Sequence, residues 1–379
     1  MQKRYLLAPG PTPVPPEVLL SMAMPIIHHR SPDFLPILDS AKKGLQWLFQ
    51  TKNDVLILSC SGTGGMVGAV NNFFNPGDKA LVINGGKFGE RWTKICQAYG
   101  LKVEEVVVEW GYAAKAEAVA EALRKDPDIK GVFVQATETS TGVYHDIEGL
   151  GKVISKFENT LFIVDAISAL VAQDLRTDEW GVDVMIGGSQ KGLMLPPGLA
   201  FVGVSEKAWK RNETSKMPRF YFNFKKEREN LAKNQTNFTS PITLIIGLNE
   251  AIKILRAEGL ENVFRRHERL ARATREAVKA LGLGIYSKES PSNSVTAVEM
   301  PEGIDGQLVY KALREKYGIT GAGGQDRAKG KIFRLAHLGY ADTFDVITGI
   351  AALEMTLKGL GHDLKLGTGV AAAQELLMK

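Results

Sequence analysis

The chain predicts a doubly wound α/β fold, with a large domain on a mostly parallel sheet followed by a small α+β domain at the C-terminal end. Through the first two thirds, short apolar runs bounded by turn residues alternate with helical patterns, as βαβ units do. Beyond residue 259 the order changes to a long helical stretch and then to isolated strands and helices. A chain of 379 residues also has the length for two or three structural units.

Taken in order, Pro9, Pro11, Pro13, Pro15 and Pro16 predict an extended arm over residues 1–20, which can lie across the cleft between two domains. Strands are expected at 55–58, 79–83, 103–108, 131–135, 161–164, 182–186 and 200–204, with helices such as 115–124 and 147–157 between them. Pro241 opens an amphipathic stretch that ends at Glu258, Gly259 reads as a helix stop, and a helical pattern resumes over 260–281. The large domain is therefore expected to span 21–258 and the small one 259–379. The latter holds a strand at 294–300, a helix at 306–317, a strand at 331–336 and a helix at 344–357.

Composition narrows the function classes. The chain is 44% hydrophobic and 23% charged, without biased tracts, as a folded globular protein is. Its 47 basic and 42 acidic residues are dispersed, and the densest run, Lys225-Lys226-Glu227-Arg228, is broken by an acid, so no nucleic-acid partner is implied. Cys60 and Cys96, the only cysteines, make neither a disulfide framework nor a thiolate metal site, which fits a reducing cytoplasm. No metal is expected. The short apolar stretch after Lys3 and Arg4 does not read as a signal peptide, and no uncharged apolar run approaches the roughly 18 residues of a membrane span.

Three pieces carry chemistry. Leu161-Phe162-Ile163-Val164-Asp165 reads as a buried strand with a carboxylate at its carboxyl end, where open α/β sheets bind ligands, although a cap or turn role for Asp165 is equally open. Val182 to Ile186 is followed by Gly187-Gly188-Ser189-Gln190-Lys191-Gly192. The small residues before Lys191 and the apolar stretch after it favour an inward amine of lowered pKa over a solvated loop lysine. Leu58-Ser59-Cys60-Ser61-Gly62-Thr63-Gly64-Gly65 runs from a strand into a helix and can cradle a phosphate on backbone N–H groups, hydroxyls and the helix dipole; alone it can equally be structural. It matches neither the P-loop nor the dinucleotide fingerprint. Together the pieces supply what pyridoxal phosphate requires: a phosphate anchor, an acid for the pyridinium and an amine for the Schiff base.

The chain resembles the class V aminotransferases, of the fold type I pyridoxal-phosphate enzymes, along nearly its whole length. It is most similar to the alanine–glyoxylate and serine–pyruvate branch, which includes relatives named as soluble hydrogenase subunits. The matching stretches are Ala8-Pro9-Gly10-Pro11-Thr12, Ser61-Gly62-Thr63, Asn75-Pro76-Gly77-Asp78, Glu138-Thr139-Ser140-Thr141-Gly142, Val164-Asp165, Gly188-Ser189-Gln190-Lys191 and Phe333-Arg334-Leu335. The resemblance implies that Lys191 is the Schiff-base lysine and proton shuttle and Asp165 the pyridinium partner, with Ser61, Gly62, Thr63 and Gln190 on the phosphate. It implies Phe88 as the ring stacked on the cofactor, Ile167 and Thr139 beside it, Ala8, Thr139 and Arg334 at the substrate, and Arg334 gripping the substrate carboxylate. Thr236 and Thr239 resemble residues that reach the phosphate of the partner subunit, which implies a homodimer with shared sites. Phe88 stands where some relatives have tryptophan, and Thr236 where some have tyrosine.

The expected activity is transfer of an amino group from alanine or serine to glyoxylate or pyruvate, in a ping-pong cycle. A cysteine desulfurase of the same superfamily would need a thiol on a mobile loop, and Cys60 and Cys96 do not suit it. A noncatalytic accessory subunit of a redox complex is the other alternative. The intact Asp165 and Lys191 argue against it.

Overall fold

The computed structural model describes residues 2–378. Its main sheet contains β1 (Asp54–Leu58), β2 (Lys79–Asn84), β3 (Lys102–Val107), β4 (Ile129–Gln135), β5 (Leu161–Asp165), β6 (Val184–Gly188) and β7 (Ala200–Val204), in the order β1-β7-β6-β5-β4-β2-β3. β7 runs antiparallel to both its neighbours, and every other adjacent pair is parallel. All strands but β7 therefore end at the same edge. Those in the middle of the sheet are apolar and buried on both faces, as a covered parallel sheet demands, whereas β3 at the edge is largely exposed and carries Glu104 and Glu105.

One strand sits two residues later than its hydrophobic pattern predicts. β6 takes in Gly187 and Gly188 because β7 pairs with them, Phe201 opposite Gly187 and Ala200 opposite Gly188. Gly187 suits that place, since a Cβ there would meet Leu170 Cδ2 at 2.8 Å and Phe49 Cζ at 3.1 Å. Asp183 drops out of the strand. Its carboxylate instead accepts the Phe162 N–H at 2.9 Å and the Ser205 hydroxyl at 2.8 Å.

The expected extended arm over residues 1–20 is shorter than that, because Pro16–Met22 is a helix, with Pro16 at a first-turn position where its missing N–H costs nothing. The strand Tyr5–Leu6 pairs in parallel with Ile319–Thr320, and further along the Thr12 N–H donates to Gln190 O at 3.2 Å. The arm thus runs from the C-terminal unit to the loop after β6. A further helix, Phe34–Phe49, was not foreseen; Phe34, Leu38, Ala41, Leu45 and Leu48 bury one face of it.

The C-terminal sheet is antiparallel, with β8 (Val295–Glu299) next to β10 (Ile332–Ala336) and β10 next to β9 (Ala322–Gly323). Two large hydrophobic clusters and a small third one, Ala297, Ala328 and Ile332, hold the chain together. Of the large ones, one fills both faces of the main sheet and extends to Val263, and the other gathers Leu7 from the arm with residues from Leu270 to Leu377. Among the described residues no helix is long and apolar enough to cross a membrane.

Candidate active site

The common edge of the sheet brings the turn after β1, the first turn of the helix after β2, and the segments that follow β4, β5 and β6 around one cleft. It is lined by Ser61, Gly62, Thr63, Phe88, Thr139, Asp165, Ile167, Gln190 and Lys191, all of which the sequence singles out. Arg91, Thr137 and Ser168 line it as well and were not foreseen.

At one end lies the start of the helix Gly62–Phe73, where the Gly64 N–H donates to Ser61 O at 2.8 Å and the N–H groups of Gly62 and Thr63, without a partner among the described residues, can receive an anion. Gly62 is required there by close packing, because a Cβ would meet Ile167 Cγ1 at 2.8 Å. Gln190 Oε1 is buried and has no hydrogen-bond partner among the described residues. A buried acceptor of this kind needs a donor, which the oxygens of an anion do not supply.

Asp165 and Lys191 face the same cleft. Burial pushes the Asp165 carboxyl up to about 6, while the Ile167 N–H, donating to it at 2.9 Å, and the charges of Arg91 and Lys191 pull the other way. Lys191 is drawn down to about 8, chiefly by burial and then by the charges of Arg334 and Arg91, with Asp165 opposing. Its Nζ donates to the Pro9 carbonyl of the arm. Burial thus moves both titrations toward neutrality.

Phe88 lies in the first turn of the helix Lys87–Ala98 and lines the cleft instead of joining the hydrophobic core. Its N–H and that of Gly89 donate to Glu138 Oε2, each at 3.1 Å. Glu138 is wholly buried, and burial raises its pKa. The next residue, Thr139, donates its hydroxyl to Ser168 Oγ at 2.8 Å and offers its carbonyl to Arg334 Nη1 at 2.7 Å. Arg334 is 5% exposed and its Nε and Nη2 donate to Gly323 O at 3.2 and 2.9 Å, which leaves one N–H on each terminal nitrogen. It stands behind Thr139 and does not itself line the cleft.

Ala8 is buried beside Pro9, next to the lysine but outside the cleft lining. Thr236 and Thr239 are not brought to the cleft of their own chain. Thr236 donates to Phe238 O at 2.7 Å and lines a separate hollow with Tyr221 and Glu227, and Thr239 is exposed. Arg91 had one signal in the sequence: it follows Phe88 by three residues and so shares its helix face. Ser168 and Thr137 had none, because small hydroxyl residues are common at strand ends.

The chain matches the family model described as "Aminotransferase class-V" over residues 4–339. It is 43% identical to the "Soluble hydrogenase, small subunit" of Synechococcus sp. (strain PCC 6716), covering 99% of this chain and 98% of that protein. It is 40% identical to the L-aspartate–glyoxylate aminotransferase of Paracoccus denitrificans (strain Pd 1222), covering 98% and 95%. The crystal structure of ureidoglycine–glyoxylate aminotransferase from Bacillus subtilis superposes with a TM-score of 0.94 at 29% identity, covering 100% of this chain and 99% of that one. The fold is therefore that of the fold type I pyridoxal-phosphate aminotransferases, and the chain belongs to the class-V aminotransferase family.

Proposed function

We propose that this protein moves an amino group from a small amino acid, alanine or serine, to glyoxylate or pyruvate in a ping-pong cycle. The observation that carries the reading is the convergence of Lys191, Asp165 and the Ser61–Gly62–Thr63 turn on one enclosed cleft. The family normally uses pyridoxal phosphate. The residues present fit that group: the helix start after Ser61 offers N–H groups to an anion, and the Asp165 carboxylate accepts only the Ile167 N–H among the described residues, which leaves it able to accept from a protonated ring nitrogen.

Bound there, pyridoxal phosphate would supply an electrophilic carbonyl and an electron-accepting ring. Ser61, Gly62, Thr63 and Gln190 would hold the phosphate, and Phe88 and Ile167 would flank the ring. Asp165 would accept the hydrogen bond of a protonated pyridine nitrogen, which would draw its own pKa back down from about 6. Lys191, a free amine for an appreciable fraction of the time at neutral pH, would hold the carbonyl carbon and later carry the proton removed from the substrate Cα. Arg334 would take the substrate carboxylate on its two remaining N–H groups, with Ala8 and Thr139 at the substrate's edge. The exposed Thr239, with Thr236 behind it, is proposed to complete the cleft of a second copy, making a homodimer with shared sites. A fully active, cofactor-loaded monomer in sedimentation would remove that part.

The desulfurase alternative lacks a competent thiol, since burial pushes both Cys60 and Cys96 up to about 12. A noncatalytic role is favoured by one thing, the name of the Synechococcus relative. The two are separated by purifying the protein and testing a panel of amino acids against glyoxylate and pyruvate. A borohydride-sensitive yellow chromophore, lost in Lys191→Ala together with nearly all turnover, is expected. A colourless protein unable to take up added pyridoxal phosphate would end the enzyme reading. Lys191→Ala that keeps more than about a tenth of the activity would end the assignment of Lys191.

A further inference from the structure

We propose that Arg91 is a positioning residue of the cleft, bracing the Phe88 ring and orienting the Thr63 hydroxyl toward the bound phosphate; the inference rests on the cofactor reading above. Phe88 and Arg91 are three residues apart on the helix Lys87–Ala98, so both point from the same face into the cleft. The guanidinium lies over the Phe88 ring, 4.6 Å from its centroid. From that position Arg91 Nη1 reaches across to the helix Gly62–Phe73 and donates to Thr63 Oγ1 at 3.2 Å.

The consequence for Thr63 follows from hydroxyl valence. Once one lone pair of Oγ1 is occupied by the arginine, its own O–H is directed elsewhere, and among the described residues nothing accepts it. A phosphate at the start of the helix is the missing acceptor. The consequence for Phe88 is mechanical. The guanidinium, 4.6 Å from the ring centroid, holds the phenyl ring in place, and its planar shape stacks on a ring where an ammonium offers only a point charge.

Arg91 also forms no salt bridge with any described acid. The other donors at the phosphate end are neutral hydroxyls, amides and backbone N–H groups. Its charge acts on both central groups, lowering Asp165 and Lys191 alike.

The test measures dissociation constants of the apoprotein for pyridoxal phosphate and for pyridoxal, in wild type, Arg91→Met, Arg91→Lys, Thr63→Val and the Arg91→Met/Thr63→Val double variant. Arg91→Met is expected to weaken pyridoxal phosphate about 10- to 100-fold, the range for a hydrogen bond with a charged partner, and pyridoxal by much less. Arg91→Lys should recover only part, because it keeps the charge but cannot stack and donate together. In the Thr63→Val background the arginine should matter far less, since the hydroxyl it orients is gone. Pyridoxal phosphate affinity of Arg91→Met within about twofold of wild type, or additive effects of the two substitutions, overturns the proposal. If Arg91→Met melts early, Arg91→Lys carries the comparison, with unchanged affinity as the overturning result. A wild-type protein that binds no pyridoxal phosphate overturns the cofactor reading itself and this inference with it.

Discussion

An ordinary lysine is almost wholly protonated at neutral pH and cannot attack a carbonyl; drawn down to about 8, Lys191 is a free amine about a tenth of the time at pH 7. Trapping the apoprotein lysine with a small aldehyde and cyanoborohydride should therefore show a midpoint near 8. A midpoint above about 10 would mean that the amine is in water. The neighbours set the sign of each variant: Asp165 holds the lysine up, so Asp165→Asn should move the midpoint down, and Arg334 pushes it down, so Arg334→Met should move it up. Arg334 has a second signature. Its guanidinium is held by the Thr139 and Gly323 carbonyls, and if its remaining N–H groups take the substrate carboxylate as proposed, Arg334→Ala should weaken donor and acceptor acids alike by about 2–5 kcal/mol. An amine without a carboxylate should react nearly as before. If it slows as much as alanine does, Arg334 supports the fold and grips nothing.

Among the elements, the N-terminal arm connects the C-terminal unit with the lysine. It pairs with Ile319–Thr320 at one end, and at the other Pro9 O accepts from Lys191 Nζ while Thr12 Oγ1 donates to Lys191 O at 3.0 Å. Gly10 is the tightest point, with φ +141° and no room for a side chain, since a Cβ would lie 2.5 Å from Lys191 Cε and 2.9 Å from its Cδ. Gly10→Ala is expected to cost about 1–3 kcal/mol and to displace either the arm or the lysine, lowering melting temperature and turnover together. Gly77→Ala is the control. Gly77 also has positive φ, +90°, but nothing lies within 4 Å of its Cβ position, so the strain is present without the collision and turnover should be kept. Equal loss of turnover in both would show that the arm does not position Lys191.

Across the whole molecule, buried ionisable groups set how stability follows pH, and they pull in opposite directions. Burial lowers His145 to about 4 and His267 and His337 to about 3, so what these rings contribute is present above 6.5 and lost as the pH falls. Burial raises Asp165 to about 6 and Glu227 to about 7, so their contribution is fullest below the ordinary carboxylate range and lost as the pH rises through those values. Glu227 isolates the second effect outside the cleft: it is 7% exposed, its Oε1 has no partner, and only the Asn237 N–H, at 3.1 Å, donates to Oε2. Glu227→Gln should raise the melting temperature strongly at about pH 8, where the native carboxylate is charged, and much less at about pH 5, where the native carboxyl still holds its proton and only the unfolded one has begun to lose it. A shift equal at both pH values would mean that the gain is not electrostatic. At this scale we also propose that the domains divide at Gly259, where the helix Ile242–Glu258 ends and Leu260–Ala280 begins.

The sequence by itself determined the strand–helix alternation, the small C-terminal sheet and the core of the cleft. Each rests on local pattern: apolar runs of strand length, the carboxylate that ends Leu161–Asp165, a lysine among small residues, and a glycine turn opening a helix. The order of strands, which the sequence did not record, then brings Asp165, Lys191 and Thr63 together at one edge. The tertiary structure alone decided the rest. Strand β6 was displaced by its pairing with β7, and Thr236 and Thr239 stayed away from their own cleft, whereas the helix Phe34–Phe49 was legible in the helical spacing of Phe34, Leu38, Ala41, Leu45 and Leu48 and was missed. Arg91 was given its role by Thr63, Arg334 its orientation by Gly323, and Lys191 its depressed titration by burial beneath the arm. These depend on residues far apart in the chain, and no periodicity records which of them will meet, because that is fixed only when the elements pack.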